Sequence, residues 1–169
     1  MGRDSLCAGG VGGLLAMVDS ELDKSFAYLY NGNGDVGQLV DVGDGSVAAA
    51  YRYDPYGNLI ASSGSLADVN PFRFSTKYFD QETNLYYYGY RYYLPELGRW
   101  NRKDPIGERG GRNLYNFVRN QPITSIDFLG FVVVFLTGAG ENSLHTAGHQ
   151  AGLNPDKYFG LFSKIYGFR

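Results

Sequence analysis

Short apolar stretches alternate with polar, glycine-containing groups along the first 64 residues of the chain. From Phe26 onward the stretches FAYLY, VGQLV, SVAAAYRY and NLIAS are separated by NGNG, GDG and DPYG. Asparagine and aspartate side chains bond to nearby backbone amides, and glycine accepts a positive φ, so each polar group has a physical reason to form a turn. The pattern predicts successive antiparallel β-hairpins.

Two of these strand-and-turn units resemble each other. Residues 28–31 with Gly34 read YLYN and then G, and residues 51–54 with Gly57 read YRYD and then G. The spacing is about 23 residues, which predicts an internal structural repeat.

The richest aromatic stretch, LYYYGYRYY from Leu85 to Tyr93, predicts one continuous strand. Side chains alternate across a strand, so the even-numbered tyrosines would share one face: Tyr86, Tyr88, Tyr90 and Tyr92. Two interpretations of that face stay open. It is either part of a core with hydrogen-bonded hydroxyls, or an exposed surface on which a carbohydrate stacks.

Shifts in composition divide the chain into four segments. We expect a glycine-rich start (1–25), hairpin repeats (26–64), a core segment (65–130) and a tail of different character (131–169). Within the core segment, residues 113–118 (NLYNFV) predict one or two helical turns. The expected fold is mainly β, an antiparallel hairpin sheet with one short helical segment and an irregular tail.

Composition and charge narrow the classes of function. The 24 glycines and 15 tyrosines suit tight turns joined by aromatic strands, and a net charge of -2 argues against nucleic acid or an anionic membrane as a partner. Cys7 is the only cysteine, so no disulfide forms within the chain. No apolar run has the length of a membrane span or a signal-peptide core, so for an exported protein we expect the signal elsewhere.

The tail contains a possible metal pattern that we interpret as a loop. His145 and His149 lie four residues apart with Glu141 nearby, a spacing that zinc sites use on helices. Gly148 and Gly152 disfavour a helix there, and the sequence offers no clear third ligand. We therefore expect no metal site and no cofactor.

Two aspartate motifs, Asp104-Pro105-Ile106-Gly107 and Asp127-Phe128-Leu129-Gly130, are the candidate chemistry. Aspartate, proline and glycine at the first, second and fourth positions are what a type I turn favours, so the first motif is explained without catalysis. The same string recurs at residues 54–57, inside a repeat. Turn formation is thus one interpretation of both motifs.

Catalysis is the other interpretation. Two carboxylates held close together cannot both ionise, so one stays protonated as an acid while the other activates water as a base. Arg102 and Lys103 directly precede Asp104, and a cation there would lower a carboxylate pKa or orient a carbonyl. The same two side chains are equally explained as solvated surface charges.

The order of the motifs resembles a known family. YRYDPYGNL at residues 51–59 looks like a YD repeat, and the following motifs resemble the Rhs repeat-associated core domain: NPFR from Asn70, YYGYRYY from Tyr87, GRW from Gly98, DPIG from Asp104, NLY from Asn113 and DFLG from Asp127. The resemblance covers roughly residues 9–131.

This resemblance implies a function. In Rhs proteins and the related C subunits of insecticidal toxin complexes, YD repeats form a hollow β-shell around a variable C-terminal toxin, and the core domain closes one end. It implies secretion or delivery to a cell surface, with the rest of a shell and its toxin as partners. Carried over by position, Asp104 and Asp127 are associated with self-cleavage, with the cut near Phe131-Val132.

The sequence departs from the family pattern in two ways. Phe128 stands where proline is usual and Phe131 where leucine is usual, and only about two repeats precede the core. The chain therefore reads as a C-terminal piece of a longer Rhs protein. A carbohydrate- or partner-binding β-module, an inactive orphan fragment and an effector enzyme in the tail remain alternatives.

Overall fold

The computed structural model describes the backbone of residues 3–7, 10–130 and 133–135, and the side chains of residues 10–130. Its regular elements are antiparallel strands and a few short 3₁₀ turns, which confirms the mainly β prediction. The chain divides into two compact units, Met1–Phe79 and Asp80–Arg169. Apart from residues 133–135, the predicted tail and its histidines lie outside the described residues.

The first unit contains a six-stranded sheet in which every strand pairs with its neighbours in the chain. Its strands, all paired antiparallel, are β1 (Arg3–Cys7), β2 (Leu14–Asp19), β3 (Lys24–Tyr30), β4 (Val36–Asp41), β5 (Val47–Tyr53) and β6 (Leu59–Ser63). One face carries the core, which includes Met17, Phe26, Tyr28, Leu39, Ala49 and Tyr51. This is the hairpin series that the alternating pattern predicts.

The 23-residue repeat is seen in matching hydrogen bonds of the turns after β3 and β5. The amide of Gly34 donates to the Asn31 carbonyl at 3.0 Å, and the amide of Gly57 donates to the Asp54 carbonyl at 3.0 Å. Each turn is closed by an amide–carboxylate hydrogen bond between its first and fifth residues, at 2.7 Å from Asn31 to Asp35 and at 2.8 Å from Asn58 to Asp54. The amide and the carboxylate have exchanged places between the two repeats.

Asn70 joins the two repeats beneath the sheet. Its side-chain oxygen accepts from the Tyr28 hydroxyl at 3.0 Å, and its amide nitrogen donates to the Tyr51 hydroxyl at 3.3 Å and to the Phe72 carbonyl at 2.7 Å. Asn70 is fully buried, so these bonds satisfy an amide that would otherwise be costly to bury. The repeat tyrosines are therefore tied together from one point.

The remaining strands are short. They are β7 (Tyr78–Asp80), β8 (Leu85–Tyr87), β9 (Tyr92–Leu94) and β10 (Arg99–Trp100), in the sheet order β10-β9-β8-β7, followed by the pair β11 (Ser125–Asp127) and β12 (Val133–Phe135). The helical elements of the described chain are four 3₁₀ turns: Phe74–Thr76, Pro95–Leu97, Gly107–Gly110 and Val118–Asn120. No described helix has the length and hydropathy needed to cross a membrane.

The prediction of one strand from Leu85 to Tyr93 is wrong. The stretch folds back on itself as the hairpin β8–β9, with Gly89 at φ +104° in the bend. A positive φ of this size suits glycine and ends a strand. The sequence pattern does not reveal this bend, because the residues on both sides of Gly89 are good strand formers.

The bend also separates the four tyrosines that a continuous strand would align. Tyr86 and Tyr88 are buried at 1% and 2% exposure, whereas Tyr90 and Tyr92 are 54% and 37% exposed. The predicted four-ring carbohydrate surface is thus absent, because two of its rings are inside the protein. Tyr88 instead packs edge-on against Trp100, with ring centroids 5.0 Å apart.

The prediction of a helical segment at 113–118 is also wrong. The Asn113 side chain accepts from the Tyr115 amide at 3.1 Å and forms a local turn. The Tyr115 carbonyl accepts from the Trp100 amide at 2.9 Å, and Asn116 bridges to Arg99. These partners lie far along the chain and use backbone groups that a helix would need. A single 3₁₀ turn follows at Val118–Asn120.

Candidate active site

Asp104 begins a tight turn in the second unit. Its Oδ1 accepts from the Ile106 amide at 3.0 Å, and its carbonyl accepts from the Gly107 amide at 3.0 Å. These are the bonds expected of an aspartate at the first position of a type I turn. They occupy one carboxylate oxygen and leave Oδ2 directed elsewhere.

Asp127 ends strand β11 and begins the second motif. Its Oδ1 accepts from two amides, Leu129 at 3.1 Å and Gly130 at 2.7 Å. Phe128 at the usual proline position therefore does not prevent the turn, because the aspartate side chain holds the following backbone itself. Asp127 is 1% exposed, so its other oxygen also points into the protein.

The second carboxylate oxygen of each aspartate, Oδ2, lies close to the Arg91 guanidinium. Its Nη2 lies 3.1 Å from Asp104 Oδ2 and 3.7 Å from Asp127 Oδ2. The arginine is 2% exposed. A buried cation requires such partners, since taking an isolated charge out of water is costly. The two aspartate motifs, 23 residues apart in sequence, thus converge on one guanidinium nitrogen.

Burial lowers the pKa of Arg91, and the carboxylates of Asp104 and Asp127 act in the opposite direction. The guanidinium also lies over the indole of Trp100, 4.1 Å from its ring centroid. Arginine keeps its charge even when desolvated, because its reference pKa is so high. The cluster therefore holds one buried positive charge beside a buried carboxyl group, that of Asp127, and a half-buried one, that of Asp104.

A layer of aromatic side chains encloses this cluster. Trp100, Tyr93 and Phe117 are each at most 2% exposed, and the Tyr93 and Phe117 rings stack at a centroid distance of 4.0 Å. Excluding water strengthens the electrostatic interactions inside. Trp100, with Tyr93 and Phe117 packed against it, thus covers one side of the cluster.

The Asp54 motif shows what the same string does without an arginine. Its Oδ1 accepts from the amides of Tyr56 and Asn58 at 2.8 and 2.9 Å, much as Asp104 and Asp127 use theirs. Its Oδ2 accepts from the Asn58 side chain at 2.8 Å. The turn chemistry is shared by all three motifs, and Arg91 distinguishes two of them.

Arg102 and Lys103, the cations predicted beside Asp104, lie on the surface of the protein. Arg102 is exposed and donates to the Tyr90 carbonyl at 2.6 Å, and Lys103 is exposed as well. The structure brings together Asp104, Asp127 and Arg91 instead. A signal for Arg91 was present, because a charge inside the tyrosine-rich stretch must find carboxylate partners if that stretch is part of a core.

The backbone that leads toward the predicted cut is held at the same place. The Gly130 carbonyl accepts from Arg91 Nε, and the Leu129 carbonyl accepts from the Tyr90 amide at 3.1 Å. Gly130 has φ +82°, and a Cβ there would lie 3.2 Å from the backbone nitrogen of Arg91. The predicted cleavage position, Phe131-Val132, follows directly and lies outside the described residues.

Among the described residues, no group of three histidine, cysteine, aspartate or glutamate side chains is arranged to bind a metal ion. Glu141, His145 and His149 lie outside those residues. The polar groups that converge here are two carboxylates, one guanidinium and a backbone carbonyl.

Much of the sequence matches a known protein family. A sequence model of the family described as Teneurin YD-shell matches residues 5–123, well over half of the chain. The chain belongs to this YD-shell family. The predicted resemblance to Rhs and YD-repeat proteins is confirmed.

Related toxins and solved toxin complexes share this YD-shell module. The chain is 45% identical over 65 residues to toxin protein Tse5 of Pseudomonas aeruginosa, and 44% identical over 88 residues to toxin subunit YenC2 of Yersinia entomophaga. Those matches cover 38% and 50% of this chain. The crystal structure of TcdB2-TccC3-Cdc42 matches 88% of this chain with a TM-score of 0.67 and 28% identity.

The YD-shell chain spans only a small part of these relatives. It corresponds to 5% of Tse5, 9% of YenC2 and 7% of the TcdB2-TccC3-Cdc42 chain. What it shares with them is therefore one structural module of the shell.

Proposed function

We propose that this YD-shell module closes the end of a β-shell around a toxin, and that it cuts its own chain near Phe131-Val132. The observation that carries the proposal is the convergence of Asp104 and Asp127 on the buried Arg91, whose guanidinium lies over the Trp100 ring. Relatives named as toxins support toxin cargo and delivery outside the producing cell.

The charges of the cluster suit an acid–base pair. One guanidinium and two carboxylates carry a net charge of one minus, so a single added proton makes the buried cluster neutral. In that state one aspartate is a carboxylic acid and the other a carboxylate, which is the division of roles that peptide hydrolysis needs.

The proposed reaction is hydrolysis of one peptide bond. The carboxylate takes a proton from water as the water oxygen attacks the scissile carbonyl carbon, and the carboxylic acid gives its proton to the leaving nitrogen as the C–N bond breaks. Arg91 holds both aspartates and the Gly130 carbonyl, so it positions the acid, the base and the backbone near the cut. Such placement is a large part of the catalysis of intramolecular reactions.

The test is the intact mass of the purified full chain and of three variants. We expect the wild-type chain to yield a fragment ending near residue 131, and Asp104→Asn and Asp127→Asn to stay whole. An amide keeps the acceptor oxygen that each turn uses, but it can act neither as base nor as acid. Asp54→Asn is the matched control and should be cut like the wild type.

A wild-type chain that stays whole over days would refute self-cleavage and leave the inactive-fragment interpretation. Equal loss of cleavage in Asp54→Asn would also contradict the proposal, because that aspartate contacts no arginine of the site. In that case folding of the chain, and not the chemistry at Arg91, would control the cut.

A further inference from the structure

A loop of the second unit is closed at the backbone of Asp104. The Asp104 amide donates to the Leu114 carbonyl at 2.9 Å, and the Gly107 amide donates to the Asp104 carbonyl at 3.0 Å. Residues 107–110 form the 3₁₀ turn that follows. The loop therefore begins at the aspartate and returns to it, as in the compact loops whose two ends lie close together.

Three glycines of this loop differ in why a side chain is absent. Gly107 has φ +64° and Gly111 has φ +140°, and at both an added Cβ would have no described heavy atom within 4 Å. Their backbone conformation is the reason for glycine, because other residues rarely adopt such a φ. Gly110 has no positive φ of this kind. Its backbone would accept alanine, so the reason for glycine there lies in its surroundings.

The surroundings of Gly110 are the Asp104 carboxylate and the Ile106 side chain. An added Cβ would lie 3.0 Å from Asp104 Oδ2, 3.3 Å from its Cγ and 3.2 Å from Ile106 Cδ1. These distances are shorter than the roughly 3.5–4.0 Å of an unstrained contact. A methyl group at this position therefore has to displace the carboxylate, the isoleucine or the loop itself.

The Asp104 carboxylate is held by bonds that such a displacement would lengthen. Its Oδ1 accepts from the Ile106 amide at 3.0 Å, and its Oδ2 lies 3.1 Å from Arg91 Nη2. The oxygen nearest to the added Cβ is thus the one that pairs with the buried guanidinium. The strength of this ion pair falls as the two atoms separate, because the attraction varies inversely with distance.

We propose that Gly110 is a positioning residue for Asp104. The absence of a side chain at Gly110 lets the loop lie against the carboxylate and keep its Oδ2 at Arg91 Nη2. The kinetic consequence rests on the self-cleavage proposed above, in which Asp104 has to be held in place. The effect on the ion pair does not require cleavage and is measured separately.

The ion pair is tested in the Asp127→Asn chain, which is expected to stay whole. A double-mutant cycle of Arg91→Met and Asp104→Asn in urea unfolding measures the coupling between the two side chains. We expect Gly110→Ala to reduce that coupling to about half or less. Gly111→Ala is the matched control. It strains the backbone and lowers stability, but its Cβ meets no described atom, so the coupling should stay unchanged.

The reaction is tested in the chain that retains both aspartates. Gly110→Ala should slow the first-order rate of cleavage by about tenfold to a hundredfold, the effect of a small misplacement of a reacting group. Gly111→Ala should stay within about threefold of the wild type. Ile106→Val removes the Cδ1 atom that the new methyl group also approaches. Adding it to Gly110→Ala should not restore the rate, and full rescue would assign the effect to Ile106 in place of Asp104.

Crystal structures of the Asp127→Asn chain with and without Gly110→Ala measure the displacement directly. We expect the distance from Asp104 Oδ2 to Arg91 Nη2 to exceed about 3.5 Å in the variant, beyond a hydrogen bond. An unchanged distance, or a coupling that falls equally in Gly111→Ala, would overturn the role of Gly110. A wild-type chain that is never cut removes the proposed function, and the cycle and the crystal structures then decide the role of Gly110.

Discussion

Replacing Arg91 by methionine tests the central feature of the site without depending on cleavage. Methionine is apolar and of similar length, so it fills the space beside Trp100 but leaves the buried carboxylates without their cation. The substitution is made in the Asp104→Asn chain, which is expected to stay whole, so that only Asp127 remains as the buried acid. Arg102→Met in the same background is the control, because Arg102 is exposed.

The structure sets the size of the effect. Removing one partner of a buried ion pair costs about 3–5 kcal/mol, because the other charge stays buried and uncompensated. Arg91 also contributes the bond to the Gly130 carbonyl and its contact with Trp100, so we expect the upper part of that range. Arg102 makes one exposed hydrogen bond to the Tyr90 carbonyl, and its loss should cost about 1 kcal/mol or less.

Urea unfolding followed by tryptophan fluorescence is the appropriate assay, since the chain has a single tryptophan and it lies against Arg91. The cost of Arg91→Met should fall by more than half when Asp127→Asn is added, because no buried carboxylate then remains. Equal losses from Arg91→Met and Arg102→Met would refute the buried cluster. So would a cost of Arg91→Met that is unaffected by Asp127→Asn.

Three further predictions concern the repeats. Gly57→Ala should lower the free energy of unfolding by about 2–4 kcal/mol, against about 1 kcal/mol for the control Gly45→Ala. Both glycines have a positive φ, but only at Gly57 would an added Cβ meet the Phe74 ring, at 2.6 Å. Equal losses of stability in urea unfolding would contradict this prediction. Asn70→Ala should lower the free energy of unfolding by about 2–4 kcal/mol in the same assay, because it removes three hydrogen bonds made by a buried side chain. A change below about 1 kcal/mol would exclude the role of Asn70 in joining the two repeats. Burial raises the pKa of Asp35, so its contribution to stability is fully present below the unfolded-state pKa and is lost as the pH rises through the raised folded-state pKa. The stability of the wild type relative to Asp35→Asn should therefore fall across that window in pH-dependent urea titrations, and a rise would show that the sign is wrong.

Features of the fold that depend on neighbouring residues could be predicted, and features that depend on distant partners could not. The turns at Asn31 and Asp54 follow from side chains that bond to amides two to four residues away, so the sequence is sufficient for them. The helical segment expected at 113–118 is overridden by the Trp100 amide, a partner that no local pattern reveals.

The candidate site divides in the same way. Asp104 and Asp127 carry recognisable motifs, and the structure brings both of them to one place. Arg91 has no local motif, because its role arises from the bend at Gly89 that turns the tyrosine-rich stretch into a hairpin. Proximity in sequence made Arg102 and Lys103 the apparent cations, although the chain directs at least Arg102 toward another backbone group.

The exchange of amide and carboxylate between the two repeat turns has a consequence for how such repeats diverge. Asn31 with Asp35 and Asp54 with Asn58 make the same bond with reversed polarity, so either order of the pair is acceptable. A repeat that changes one member alone passes through two facing carboxylates or two facing amides, and two facing carboxylates repel each other. Substitutions at the first and fifth turn positions should therefore be inherited as pairs, and aligned YD repeats should show these positions covarying even where the tyrosine–aspartate signature itself has been lost.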